Sequence, residues 1–221
     1  MKKIIALLMI LVFGAACLTG CTNNGEAFTE KSYTSEGKEI TEICIDVRDR
    51  QIEVILSPDN QVHIDYFENS KEYYDISVSD NHTLTMTAVS DKEWTDYIGG
   101  KSAAGSRKIT LQVPDALLTA LKLSTTNDDI SLPAMTVNGD VLLSSQGGSI
   151  VFEKLNVQNT ISLTSKNGDI TGSLVGSYDD YAISCDSKKG ESNLPSSKES
   201  GTKPLTAANN NGDIHIEFIN E

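Results

Sequence analysis

Residues 125–184 decide the fold, because they read as three consecutive units of 20 residues: TTNDDISLPAMTVNGDVLLS (125–144), SQGGSIVFEKLNVQNTISLT (145–164) and SKNGDITGSLVGSYDDYAIS (165–184). Apolar side chains recur at four positions of the unit. These positions hold Ile130, Ile150 and Ile170; Met135, Leu155 and Val175; Val141, Ile161 and Tyr181; and Leu143, Leu163 and Ile183. A fixed period of this length is typical of stacked units that share one core.

Turns rich in Gly, Asn and Asp separate the apolar positions, as in Asn138-Gly139-Asp140 and Asn167-Gly168-Asp169. We expect these residues to supply the positive φ angles that reverse the chain. From Ile40 onward apolar and polar residues alternate, which favours strands over helices. The sequence therefore predicts an all-β fold: a single elongated β-solenoid (β-helix-like) domain over residues 39–221, with little or no helix in the mature chain.

The first residues indicate export and anchoring. Lys2 and Lys3 precede an apolar run over residues 4–16, and Leu18-Thr19-Gly20-Cys21 follows. The run is shorter than the roughly 17 to 25 residues that span a bilayer. Residues 1–20 are thus interpreted as a signal peptide, and the four residues ending at Cys21 are similar to the lipobox of bacterial lipoproteins. An ordinary cleaved signal with a chance cysteine is the alternative.

Lipidation at Cys21 would attach the mature chain to the outer face of a membrane, since two acyl chains anchor stably. Residues 21–38 are polar and are predicted to be a flexible tether. Cleavage removes two lysines and no acid, which leaves 16 Lys and Arg against 31 Asp and Glu, a charge of −15. A chain this acidic repels nucleic acid, so nucleic-acid binding is excluded.

Cys44 and Cys185 are the other cysteines of the mature chain. Cys44 shares a strand face with Asp46, whereas Cys185 continues the inward series of Tyr181 and Ile183. Opposite faces favour two isolated thiols over a disulfide.

Two long segments interrupt the repeat: residues 90–107, with Trp94 and Tyr97, and residues 186–203, with four lysines. Connections of this length are functional or disordered. Trp94 and Tyr97 are candidate contact residues because aromatic side chains are enriched at binding hot spots. The alternative is a loop that folds back to cover an open end of the solenoid.

Repeated aspartates raise the question of calcium; they are Asp129, Asp140, Asp169 and Asp213. One carboxylate per turn falls short of the 6 to 8 oxygen ligands of calcium, so we expect each Asp to cap its own turn. Tyr178-Asp179-Asp180-Tyr181 is the best candidate for paired catalytic carboxyls. His63, His82 and His215 lack metal-ligand spacing. Because the sequence offers many acids without singling out a pair, the predicted sites include no catalytic residue, no metal and no cofactor.

Several stretches resemble a known family. They are Ile109–Pro114, Leu121–Ile130, the Asn-Gly-Asp turns and Asn211–Ile216. They are similar to the "putative adhesin" β-strand-repeat domains of bacterial envelope proteins, domains of unknown function related to toastrack-type solenoids. The resemblance implies an elongated solenoid on the cell surface and a link to envelope-stress signalling, and it transfers no catalytic residue. One departure is Asn127-Asp128-Asp129, where Gly is preferred and a left-handed residue would carry a cost.

These features together predict a surface-anchored, non-enzymatic lipoprotein that acts as an envelope binding, adhesion or stress-sensing module. Its partners would be the membrane, through the lipid on Cys21, and an envelope protein or a cell-wall glycan. Two alternatives remain: a carbohydrate-active enzyme on a β-helix scaffold, and a structural protein that self-associates.

Overall fold

The computed structural model describes residues 27–92 and 104–220. Cys21, Trp94 and Tyr97 lie outside this part of the chain. The described residues form eighteen strands. They are β1 (Thr29–Thr34), β2 (Glu42–Asp46), β3 (Gln51–Leu56), β4 (His63–Glu68), β5 (Glu72–Val78), β6 (Thr83–Ser90), β7 (Lys108–Val113), β8 (Ala120–Thr125), β9 (Ile130–Leu132), β10 (Met135–Val137), β11 (Asp140–Ser145), β12 (Ile150–Val157), β13 (Ile161–Ser165), β14 (Ile170–Val175), β15 (Tyr181–Ser187), β16 (Ser197–Lys198), β17 (Lys203–Asn209) and β18 (Ile214–Ile219).

Two long sheets enclose one apolar core. Sheet A has the order β1-β4-β7-β3-β9-β12-β14-β18, with β10 also beside β12. Sheet B has the order β16-β15-β17-β13-β11-β8-β2-β6-β5. A strand of sheet B followed by a strand of sheet A makes one coil, and the coils stack mainly through parallel pairs, as in β11 with β13 and β12 with β14. The predicted all-β solenoid is therefore confirmed.

Stacking in register explains the 20-residue period. Ile150 pairs with Ile130 on one side and with Ile170 on the other, and all three side chains are fully buried. Val141 pairs with Ile161 in the facing sheet in the same way. Each repeated residue thus lies on its counterpart in the next coil and extends the core by one layer.

In sheet A the period is broken by a bulge in β12. Leu155 pairs with Leu174, not with Val175 as the alignment of the units predicted, and the register shifts between Phe152 and Leu155. Lys154, at this shift, has a φ of 36°. The extra residue bends the strand and moves the inward series by one residue.

The second strand of the third unit, β15, does not stack on the second unit as predicted, although β14 does. Strand β17 pairs with β13 (Ile161 with Leu205), and β15 pairs with the far side of β17 (Ile183 with Leu205). Tyr181 therefore lies opposite Lys203 and not against Ile161. The C-terminal coil, β17 and β18, is inserted between two coils that are consecutive in the sequence.

A similar exchange occurs at the other end. Strand β8 pairs with β2 and not with β6, so the coil of β6 and β7 lies outside the coil that precedes it in the sequence. Beyond it the sheets continue through antiparallel strands: β4 beside β7, β1 beside β4, and β5 beside β6. The predicted tether of residues 21–38 is thus wrong for its second half, because Thr29–Thr34 pairs with β4 along its whole length.

A ladder of buried polar side chains supports the stacked turns. Ser165 donates a hydrogen bond to the carbonyl of Gly148 in the preceding coil (3.0 Å) and accepts the N–H of Gly168 in its own turn (3.1 Å). Corresponding pairs of bonds join Ser145 to Asp128 and Gly148, and Asn209 to Gly168 and Gly212. These side chains satisfy backbone groups that the sheets leave unpaired.

Close stacking explains the turn glycines, and our expectation of positive φ is wrong for them. A Cβ on Gly168 would lie 2.2 Å from the carbonyl carbon of Gly148, although Gly168 itself has no left-handed φ. Asn127 and Asp128 of the first unit are not left-handed either. The turns need glycine because one backbone lies directly against the next.

The remaining connections contain little helix. The described residues include two 3-10 turns, Ala104–Arg107 and Tyr178–Asp180, and no helix among them is long and apolar enough to cross a membrane. Residues 186–203, predicted as a loop, are partly strand, because β15 extends to Ser187 and Ser197–Lys198 pairs with it. Between these strands Ser192 bridges to Ile214 of β18, and Asn193 bonds to Ile216.

Candidate functional site

The segment that carries Trp94 and Tyr97 connects β6 to β7 in the sequence. Trp94 and Tyr97 themselves are not described, but both flanks are. Lys92 Nζ lies 2.6 Å from Glu72 Oε1 on the near side. On the far side Arg107 Nη1 donates to both carboxylate oxygens of Asp128, at 2.8 and 2.9 Å. Each flank is thus fixed to the solenoid by an ion pair.

Glu72 also holds a buried arginine. Arg50 is 3% exposed, and its Nη2 lies 3.0 Å from Glu72 Oε2. Its Nε donates to the hydroxyl of Tyr74 at 2.7 Å, and Nη1 donates to the carbonyl of Asp49 at 3.1 Å. Burial by itself lowers the pKa of Arg50, but Tyr74 and Glu72 outweigh burial and leave that pKa raised. The cation therefore stays charged inside the protein.

The Arg50 network continues to the other flank through the turn before β3. The N–H of Asp49 donates to Thr126 Oγ1 at 3.0 Å, and Asn127 Nδ2 donates to the Asp49 carboxylate. Asn127 precedes Asp128, the partner of Arg107. One polar network thus runs across the stacked turns, and we call it the anchor network. Its members are Lys92, Glu72, Arg50, Asp49, Asn127, Asp128 and Arg107.

Aromatic rings lie beside Arg50 in the anchor network. The rings of Tyr66 and Tyr74 meet edge to face at 5.3 Å, and the Arg50 guanidinium lies 5.5 Å from the ring of Phe28. Burial is the largest cause of the raised pKa of Tyr74, and the positive charge of Arg50 acts against it. The cluster holds the antiparallel end of the solenoid on the coil of β2 and β3.

Arg107 offers one polar atom beyond its ion pair. Its Nε is buried and has no hydrogen-bond partner among residues 27–92 and 104–220. Sequence reasoning missed Arg50 and Arg107 as anchoring residues. No local pattern marks them, because their partners Glu72 and Asp128 lie 21 or more residues away.

The repeated aspartates bind backbone and do so between coils. Asp169 Oδ1 accepts the N–H of Asp213 at 2.8 Å. Asp129, Asp140 and Asp213 accept the N–H groups of Ser149, Thr160 and Glu191 in the same manner. Our expectation that each Asp caps its own turn is therefore wrong. Each carboxylate accepts a hydrogen bond from a backbone N–H of the neighbouring coil. Within the described ranges no group of three or more His, Cys, Asp or Glu could hold a metal ion.

The acids of residues 178–181 lie on an exposed 3-10 turn. Asp180 Oδ2 accepts the N–H of Ser177 at 2.8 Å and completes a capping box. Tyr181 is fully buried, and its hydroxyl donates to the carbonyl of Val175 at 2.7 Å. The Asp180 carboxylate thus stabilises this turn.

Among the described residues, the cysteines and histidines add no site. Cys44 and Cys185 are free thiols; Cys44 is half-buried and Cys185 is buried. His63 bonds to Asp59 and Thr34, and His215 is exposed, as its alternation with Ile214 and Ile216 predicted. A shallow cleft of about 100 Å³ lies near Ile40 and Leu117, which is small for a sugar chain.

Two solved structures are similar to this chain. A "putative cell adhesion protein" of Clostridium sporogenes is 12% identical, with a TM-score of 0.61, over 87% of this chain and 100% of its own. A "putative adhesin" of Bacteroides fragilis is 12% identical, with a TM-score of 0.33, over 88% of this chain and 98% of its own. At this identity the first likeness shows the fold alone.

The curated proteins contain no match to this chain. A family model described as Toastrack DUF4097 does match, over residues 40–220. That range contains every coil of the solenoid and both flanks of the anchor network. The protein therefore belongs to the Toastrack DUF4097 family.

Proposed function

We propose that this protein is a surface-anchored, non-enzymatic lipoprotein that acts as a binding, adhesion or stress-sensing module of the cell envelope. The lipid on Cys21 would hold it on the outer face of the membrane, and the segment around Trp94 and Tyr97 would contact an envelope protein or a cell-wall glycan. The adhesion-related names of structural neighbours are in keeping with such a role.

The anchor network is the observation that carries this proposal. Ion pairs at Lys92 and Arg107 fix both flanks of the segment, and a buried cation connects them. Binding residues are often presented by loops on a rigid scaffold, because fixed flanks reduce the entropy lost on binding. An acidic exterior also keeps the module apart from nucleic acid.

Crosslinking in living cells tests the proposal. A photoreactive residue replaces Trp94, and a matched control places it at Leu142, which is 44% exposed on the outer face of sheet B. We expect a discrete crosslinked partner from position 94 that is absent from position 142. Products limited to the protein itself, or identical products from both positions, would contradict the proposed contact segment.

A further inference from the structure

We propose that two copies of this protein exchange the coil of β17 and β18, so that the coil of each copy fills the solenoid of the other. The partner is a second copy of this chain. The surface that receives it is a slot, bounded by β13 and β15 in sheet B and by β14 and residues 192–193 in sheet A. This inference goes beyond the proposed binding module and depends neither on the lipid nor on the segment of Trp94.

The coil of β17 and β18 is bonded on both sides. Leu205 pairs with Ile161 of β13 on one side and with Ile183 of β15 on the other. In the turn, the N–H of Asp213 donates to the coil of β13 and β14 at 2.8 Å, and its Oδ1 accepts the N–H of Glu191 at 2.8 Å. A second copy offers the same partners in the same register, so an exchanged coil keeps its contacts.

The slot has apolar walls and is completed late in the sequence. The inward side chains of the coil are at most 1% exposed, and they are Leu205, Ala207, Ile214 and Ile216. Strand β15 precedes β17 in the sequence but lies beyond it, so both walls of the slot are synthesised before the coil that fills it. Until then the apolar walls face water, and the coil of a neighbouring copy covers them as well as their own coil does.

The connection between β16 and β17 is a short hinge of residues 199–202. Gly201 has a φ of 121°, which glycine alone adopts readily, and a Cβ on it would lie 2.3 Å from the carbonyl carbon of Tyr181. The N–H of Thr202 donates to the carbonyl of Asp180 at 2.8 Å. Exchange opens this hinge and leaves the paired strands intact. Short hinges held in such a conformation favour exchange between copies.

The hinge is long enough to reach a second copy. Strand β16 is the outermost strand of sheet B at this end. Where two such ends meet, the slot of the second copy lies three strand spacings, about 14 Å, from Lys198. The five Cα steps from Lys198 to Lys203 extend at most about 17 Å. The geometry therefore allows both copies to exchange their coils at once.

Mixed disulfides between two variants test the exchange. Two full chains are produced in the same cells, one with Ser162→Cys and the other with Thr206→Cys, both in a background of Cys44→Ser and Cys185→Ala. Positions 162 and 206 are direct neighbours across β13 and β17. Since each chain carries one of the two cysteines, a disulfide between them requires the coil of one copy to lie in the slot of the other.

A second mixture supplies the matched control. Lys122→Cys and Leu142→Cys are direct neighbours across β8 and β11, on the same outer face and outside the exchanged coil. After oxidation in the envelope, we expect at least about ten times more linked dimer from the 162 and 206 mixture than from the control. Equal amounts from both mixtures, or no linked dimer from the first, would overturn the exchange. A single chain with both Ser162→Cys and Thr206→Cys measures complete oxidation.

Hinge variants give a second, independent measurement. Gly201→Ala should raise the ratio of dimer to monomer at least about five-fold, because alanine fits the open hinge and not the closed one. Gly176→Ala is the control, since its φ of 128° lies between β14 and β15, where both forms have the same backbone. Light scattering of the detergent-solubilised full chain after size exclusion measures the ratio. The same ratio in both variants would contradict the hinge.

Discussion

Arg50 shows how one buried charge joins elements that are distant in the sequence. Its guanidinium donates to Tyr74 and Glu72 of β5, while its backbone N–H donates to Thr125 Oγ1 of β8 at 3.4 Å. Removing a buried cation leaves its partners without compensation, which costs more than the pair contributed. The residue thus stabilises the junction between the stacked coils and the antiparallel end.

We predict that Arg50→Ala lowers the free energy of unfolding by about 3 kcal/mol, because the hydroxyl of Tyr74 loses its hydrogen-bond donor. Glu72 loses one of its two cations and keeps its ion pair with Lys92. Urea denaturation followed by circular dichroism measures the change. Arg48→Ala is the matched control, since Arg48 is exposed on the same turn, and we expect a change within about 0.5 kcal/mol. Equal losses for both variants would refute the role of the network.

Tyr181 makes stability depend on pH at the alkaline end. Burial, with a smaller effect of Asp180, raises the pKa of its phenol to about 12, whereas an unfolded chain titrates near pH 10. Between about pH 10 and 12 the unfolded state loses this proton and the native state keeps it. Native-state stability is therefore complete below pH 10 and falls as the pH rises through this interval.

Accordingly, the urea midpoint of the wild-type protein should fall between about pH 9.5 and 11.5 more steeply than that of Tyr181→Phe, which has no phenol to titrate. Tyr178→Phe is the control, because Tyr178 is 42% exposed on the preceding turn; it should retain the wild-type slope. A slope unchanged by Tyr181→Phe would contradict this assignment.

The turns stack as closely as the strands do. Backbone of one turn lies against backbone of the next, with Ser165 bonded to both Gly148 and Gly168. The Asp carboxylates add a bond from each turn to its neighbour, as from Asp213 N–H to Asp169. This arrangement makes the corner of the solenoid intolerant of a Cβ, whatever the backbone angles permit.

Gly168→Ala should lower the unfolding free energy by about 1 to 3 kcal/mol, because the new Cβ would meet Gly148 backbone at 2.2 Å. Gly105→Ala offers a matched control in the 3-10 turn, where nothing lies within 4 Å of the added carbon. Thermal unfolding of both variants measures the difference. A loss as large at Gly105 would indicate that helical propensity or chain entropy, and not close stacking, determines the effect.

The order of the coils in space differs from their order along the chain. The C-terminal coil fills the position between β13 and β15, and the coil of β6 and β7 lies outside that of β2 and β3. Both exchanges place residues in contact that are far apart in the sequence, such as Ile161 and Leu205. Because the C-terminal coil lies between two coils that precede it in the sequence, adding coils in sequence order cannot assemble the solenoid.

Disulfide formation distinguishes the two orders. Ser162 pairs with Thr206 in the structure, whereas uninterrupted 20-residue stacking would place Ser162 beside Ala182. Neighbouring parallel strands lie within the Cα separation that a disulfide needs. In a background of Cys44→Ser and Cys185→Ala, Ser162→Cys with Thr206→Cys should oxidise at least ten times faster than Ser162→Cys with Ala182→Cys, measured by mass spectrometry. The opposite preference would overturn the observed threading.

Periodicity was sufficient to predict the all-β fold, the inward series at Ile130, Ile150 and Ile170, and the exposed position of His215, since each depends on local alternation. It did not predict the strand at Thr29–Thr34, whose residues are mostly exposed and pair at an edge. The segment of Trp94 stays a prediction, and the pattern did not indicate Arg50 and Arg107, because their partners lie in other coils.

Local pattern therefore specified what a coil is: a strand, a tight turn and a second strand with aliphatic residues inward. The spatial order of the coils was decided in the tertiary structure alone. Parallel strands offer the same evenly spaced hydrogen bonds to any neighbour, so β13 can accept β17 as readily as β15 on backbone grounds. The choice depends on how side chains more than 20 residues apart pack together, as Leu205 does between Ile161 and Ile183, and no local period encodes it.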